Sequence, residues 1–231
     1  LKNHSPGAQS FLDANQGHTF ARQEDLRLIT GRGQFTADYA YPGMLYLHVI
    51  RSVHAHAKIK SIDLSAVRSS LGVQLVLTHE DMSREGAQDL PHAVTLTSIT
   101  GEPQKINKMP VLAKGKVHFV GQPIAFVVAN TALQAQDAAE LAQIDFEVLD
   151  ACADVVSTLA HEAPVLHEGM TGNVSCVFSS GDLPSVEHAF AHAAHVSEVR
   201  VNSQRLIGFP MEPRAVVAKY DAQTGQTTIH T

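Results

Sequence analysis

Residues Gly121–Leu149 constrain the fold more than any other stretch of the chain. A Gly-Gln-Pro turn leads into Ile124–Ala129, a nearly continuous apolar run of the kind buried on both faces of a sheet. Thr131-Ala-Leu-Gln134 follows, a capping-box pattern with glutamine at the third helical position. Ala135, Ala138, Ala139 and Ala142 then recur at i, i+3, i+4 and i+7, a narrow stripe that lets a helix lie close against a sheet. Ile144, Phe146 and Val148 alternate with Asp145 and Glu147, so a strand follows the helix. Strand–helix–strand predicts an α/β (α+β) fold, with a right-handed crossover between parallel strands.

The remaining elements are read the same way. Residues up to about Thr19 form a loose polar leader, and Arg22–Phe35 is a charged approach to a turn at Gly31 and Gly33. Leu45, Leu47 and Val49 alternate with polar neighbours and predict a strand over Met44–Ile50. Ile59 and Ile62 mark a second strand, and Val73, Leu75 and Leu77 a third, ended by His79-Glu80-Asp81. Residues 83–110 hold Pro91, Gly101, Pro103 and Pro110 and predict a long loop with one short strand at Ala93–Leu96. Asp182 and Pro184 open a helix expected to run to His195. Two strands flanking residues 221–225 predict a hairpin. The expected organisation is a leader at 1–21, a domain at 22–150, a linker at 151–172 and an incomplete domain at 173–231.

Charge and composition exclude several classes of partner. The 231 residues carry 17 Lys+Arg against 23 Asp+Glu, a net −6 with neutral histidines, so a nucleic-acid partner is not expected. No apolar run approaches the roughly 20 residues that span a bilayer, so no membrane partner is expected. Cys152 and Cys176 cannot build a disulfide framework and fit a reducing compartment, which gives a cytoplasmic expectation. They read as buried thiols.

Fourteen histidines call for weighing against metal chemistry. His188, His192 and His195 share one face of the expected helix, but no carboxylate or cysteine is placed to complete a ligand set. His54 and His56 alternate onto one strand face and read as an exposed edge pair. The expectation is no metal ligand. Gly31-Arg32-Gly33 lacks the preceding strand and following lysine of a phosphate loop. Glu212 and Arg214, in Met-Glu-Pro-Arg, read as a charge pair partly shielded from water.

Four stretches in order resemble one family. Arg22–Phe35 is similar to the R-x-E-D-x-R-L-x-T-G-x-G-x-F opening of the large, molybdenum-binding subunit of the molybdenum hydroxylases, the xanthine dehydrogenase, aldehyde oxidase and carbon monoxide dehydrogenase superfamily. Arg51–Ile59 resembles its R-S-x-H-A-x-A-x-I strand. Val117–Ala129 resembles the V-x-x-V-G-x-P-x-A-x-V-V-A core of its α/β hammerhead domain, and Asn202–Arg214 the approach to its first molybdenum-cofactor-binding domain.

The resemblance implies a molybdenum–pterin cofactor in the complete subunit and hydroxylation of an aldehyde, N-heterocycle or related carbon with oxygen from water. It implies electron transfer through 2Fe-2S clusters to FAD or another acceptor on partner subunits or domains, hence a hetero-oligomer. The family's S-T-Q segment, its Gly-rich loop and its catalytic glutamate would all lie beyond Thr231. No catalytic or cofactor-binding residue is therefore carried over, and no cofactor is expected on this segment alone. Glu212 and Arg214 would at most support the pocket wall. The expected identity is the N-terminal portion of such a subunit, inactive by itself. The alternative is a split, non-catalytic scaffold subunit that docks a separate catalytic chain.

Overall fold

The structure, a computed structural model, describes Arg22 and residues 24–204, 206–210 and 212–231. The leader expected over residues 1–21 lies outside the described residues. Two compact units are formed: the described residues up to Tyr41 group with Val201–Thr231, and Pro42–Arg200 form the larger unit.

In the larger unit, β1 (Tyr46–Arg51), β3 (Val73–Leu77) and β5 (Pro123–Ala129) make one antiparallel sheet in the order β1-β5-β3. A second antiparallel sheet has the order β4-β2-β6, from β4 (Lys116–Val117), β2 (Ala57–Asp63) and β6 (Gln143–Val148). The apolar run of β5 takes the centre of the first sheet, where four of its seven residues, Ile124, Ala125, Val127 and Ala129, are buried.

The parallel crossover expected from the sequence is not formed. β1 and β3 occupy both edges of β5, so the sheet offers β6 no adjacent place. β6, whose single apolar face suits a half-covered position, pairs with β2 instead. The helix between them, α4 (Ala132–Ala139), thus carries the chain from one sheet to the other. Its start is as expected: Thr131 Oγ1 accepts from the Gln134 N–H at 3.2 Å. Ala135, Ala138 and Ala139 are buried.

Two clusters make the core. One joins Ile50, Leu64, Val67, Val76, Ala125 and Val127 to the helix alanines Ala138 and Ala139. The other holds Ala57, Ala113, Val117 and Ile124. Ile62 and Ile144 pack against both.

Short helices were less legible. α1 (Asp25–Ile29) occupies the charged approach, and α2 (Ser65–Arg68) links β2 to β3. The polar run that ends β3 starts α3 (His79–Arg84), because Thr78 and Asp81 form a capping box in which Asp81 Oδ2 accepts from the Thr78 N–H at 2.9 Å. Residues 93–96 form no strand; isolated bridges pair Leu90 with Met109 and Thr97 with Pro103. The long loop is held instead by backbone bonds to a later segment, Ile99 N–H to Val177 O at 2.9 Å and Lys105 N–H to Ser175 O at 3.0 Å.

α5 (Val155–Thr158) is capped by Asp154, and α6 (Leu183–Ala191) by Asp182, each accepting from a serine N–H. α6 ends at Ala191, a turn before His195. In the smaller unit, β7 (Val217–Asp221) and β8 (Gln226–His230) form the expected hairpin. Gly225, at φ 70°, closes the turn by donating its N–H to Asp221 O at 2.8 Å.

Candidate functional site

Among the described residues, a grouping of histidines with a lysine and a glutamate lies where β4, the turn before β5 and residues 164–170 meet. His118 follows β4 directly. Its ring stacks on His167 with centroids 4.7 Å apart and on His56 at 5.8 Å. His56 is 4% exposed. Its Nδ1 lies 2.6 Å from the Asp150 carbonyl, which only accepts, so that nitrogen carries the proton. In the neutral ring Nε2 is then a bare lone pair, and it is buried without a partner.

Lys116, at the head of the same strand, places Nζ 3.0 Å from Glu168 Oε1. That bond and the ammonium charge hold Glu168 below the usual carboxylate range. Desolvation, then the charges of His167, His56 and Lys116, hold the His118 imidazole below its ordinary value. His167 is held low by desolvation first, then by His56 and Lys116. Lys116, His118, His167 and the buried Gln122 line a cavity of about 660 Å³. Gln122 Oε1 accepts from the His118 N–H at 2.7 Å and so fixes the backbone at the stack.

The residues singled out from the sequence fare differently. Glu212 and Arg214 are exposed, and among the described residues no ion pair joins them. They lie before β7 and not in a strand, which removes the shared face that the charge-pair reading needs. Glu212 instead accepts the Thr36 N–H at 3.2 Å. His188 and His192 meet, rings 4.0 Å apart, but His192 is already bonded to the His188 carbonyl and His195 lies past the helix end. Among the described residues, no group of three or more His, Cys, Asp or Glu is placed to hold a metal ion.

His54 and His56 precede β2 and do not sit on a strand face; His56 is buried, contrary to the edge-pair reading. Cys152 and Cys176 are free and half-buried, not enclosed. The histidine stack itself was missed. His56 and His118 are 62 residues apart and His118 and His167 49, and the strand pairing of β2 with β4 brings the first two together.

Comparison with known proteins places this geometry. The aldehyde oxidase and xanthine dehydrogenase a/b hammerhead domain matches residues 30–150, and the molybdopterin cofactor-binding domain matches 166–231. The chain belongs to the molybdenum hydroxylase large-subunit family. Its relatives include the 6-hydroxypseudooxynicotine dehydrogenase complex subunit gamma of Paenarthrobacter nicotinovorans, 35% identical over 89% of this chain and 25% of that one. Another is the carbon monoxide dehydrogenase large chain of Afipia carboxidovorans, 34% identical over 90% of this chain and 26% of that one. Among solved structures, quinoline 2-oxidoreductase from Pseudomonas putida 86 superposes with a TM-score of 0.77 at 33% identity, over 92% of this chain and 26% of its own. Reconstituted CO dehydrogenase from Oligotropha carboxidovorans gives 0.78 at 32%, over 97% and 28%.

The chain thus spans about a quarter of the length of the relatives it matches. In family terms β1 to β6 are hammerhead, and the histidine stack joins it to the start of the cofactor-binding domain at His167. The described residues of that second match do not fit a pterin cofactor by themselves. Leu206 and Ile207 are open to solvent, Phe209 is 94% exposed, and Glu212 is engaged by Thr36. They present open surface where an enclosed cradle would be needed, and no step of the chemistry is assigned to them.

Proposed function

We propose that this chain is the N-terminal portion of a molybdenum hydroxylase large subunit that hydroxylates an aldehyde, N-heterocycle or related carbon with oxygen drawn from water. The observation that carries the reading is the order of the two domain matches, hammerhead then cofactor-binding, over a quarter of the relatives' length. The complete subunit supplies the molybdenum–pterin cofactor, and iron–sulfur and FAD subunits or another acceptor take the electrons. Relatives named as a complex subunit and as a large chain support a hetero-oligomer. Cytoplasmic assembly is part of the same proposal; no helix among the described residues is long and apolar enough to cross a membrane.

In this reading the 231 residues are a scaffold for a site completed elsewhere. Residues 1–21 are a leader, 22–150 the hammerhead domain, 151–172 a linker and 173–231 the first part of the cofactor-binding domain. Glu212 and Arg214 support the pocket wall; Glu212 does so by holding the Thr36 N–H. The segment alone is inactive, because the groups that would touch substrate come from later sequence.

The test is to read the gene past Thr231 and express the whole frame with its neighbouring subunits. A frame continuing into S-T-Q and a Gly-rich loop, with substrate-dependent dye reduction by the assembled protein, supports the proposal. A stop codon directly after Thr231 contradicts it and favours a split scaffold subunit.

A further inference from the structure

Residues 158–173 form a loop that is tied firmly to itself and loosely to the hammerhead. The Asn173 amide donates to Thr158 O at 3.3 Å and to Pro164 O at 2.9 Å, and its oxygen accepts the Leu166 N–H at 3.1 Å. One side chain thus pins three points of the loop. Among the described residues, no backbone hydrogen bond joins 158–173 to residues 42–150, and no loop residue belongs to either core cluster. What reaches across is the His167 ring on His118 and the bond from Lys116 Nζ to Glu168. The Glu168 side chain is 88% exposed, so that ion pair adds little to docking. The ring stack is the fastening.

That fastening suits neutral rings only. His56 Nε2 is buried with no partner among the described residues, so a proton there would create a buried cationic donor with nothing to accept from it. Lys116 of β4 already sets a cation beside the stack, and a charged His118 or His167 would repel it and the other rings. Glu168 is the acid nearest the rings and is engaged by Lys116; Lys58 of β2 acts on it too, while holding Glu147 of β6 at 3.2 Å. The cavity walls add His79, Lys108 and Lys114 against Asp89. We propose that the histidine stack is an acid-released clasp: protonation of its rings undocks residues 158–173 as a unit while the hammerhead stays folded. The loop straddles the end of one family match and the start of the next, so the clasp holds the connection between them. Desolvation first, then neighbouring cations, hold His118 and His167 below their ordinary value of 6.5, so docking is complete above that pH and weakens as pH falls. The inference does not rest on the proposed reaction, and neither outcome below bears on it.

The experiment follows, by NMR of the 231-residue chain from pH 7.5 to 5.5, the nuclear Overhauser contact between the His118 and His167 rings, with contacts between β1 and β5 as reference. Each ring that excludes a proton weakens docking up to about tenfold by pH 5.5. The ring contact is expected to fade over this range while the reference contacts keep their intensity. His167→Phe keeps a stacking face that cannot be protonated and that attracts a charged His118. Its midpoint of release should move down by at least about 0.4 pH unit, the equivalent of an exposed cation–π contact. A ring contact that persists unchanged to pH 5.5 overturns the proposal. So does its loss together with the reference contacts, or a His167→Phe midpoint that is unchanged or higher.

Discussion

Ile62 and Ile144 are direct cross-strand partners on β2 and β6, and each packs against both clusters of the hammerhead core. They couple two antiparallel sheets that share no strand. Ile144→Ala should therefore cost more than its partial exposure suggests, about 2–3 kcal/mol, because the void opens to both clusters. Urea unfolding of the variant checks this. Ile144→Val should cost about 0.5–1.5 kcal/mol in the same measurement.

Thr131 caps the alanine helix that carries the chain between those sheets. Thr131→Ala should lower stability by about 1 kcal/mol, while Thr131→Ser, which keeps the oxygen, should lose only a few tenths. Thermal unfolding of the pair separates loss of the cap from loss of a methyl group.

The histidine stack makes stability depend on pH. Both His118 and His167 sit below their ordinary value of 6.5, so the unfolded chain binds more protons than the folded one just below that pH. Their contribution is complete above about 6.5 and is lost as pH falls toward the folded values. The groups facing the stack are His56, Lys116 and Glu168, with His79, Lys108, Lys114 and Asp89 on the other cavity walls. Urea unfolding stepped from pH 7.5 to 5.5 should show declining stability, and His118→Gln should flatten that decline. The depressed carboxylates Asp81, Asp154, Asp182 and Asp221 act lower, losing their contribution only as pH drops through the acid range below about 4.

Glu212 is exposed and holds one backbone N–H. Glu212→Gln should leave the unfolding of the 231-residue chain within about 0.5 kcal/mol of the parent. In the complete enzyme the same replacement should reduce turnover, as the pocket-wall role requires. Equal turnover of the two assembled enzymes would remove Glu212 from the site.

Local chemistry made much of this legible. Ile124–Ala129 read as a doubly covered strand because every residue is apolar, and it is the central strand. Thr131, Asp182 and the residues 221–225 turn announced themselves by short-range hydrogen bonding. What failed was pairing. Nothing local in β6 says that β2 will hold it in place of β5, since that choice depends on β1 and β3 having filled both edges. The stack failed for the same reason: His56, His118 and His167 meet through tertiary contacts between distant segments. Glu212 and Arg214 were misjudged because two residues of spacing imply a shared face only within a strand.

Elemental analysis of the purified 231-residue chain, produced alone in cells that make the molybdenum–pterin cofactor, tests the central claim most directly. The account predicts molybdenum far below one atom per chain, with one per chain restored when the full frame is expressed. One tightly held molybdenum atom per isolated chain would contradict it.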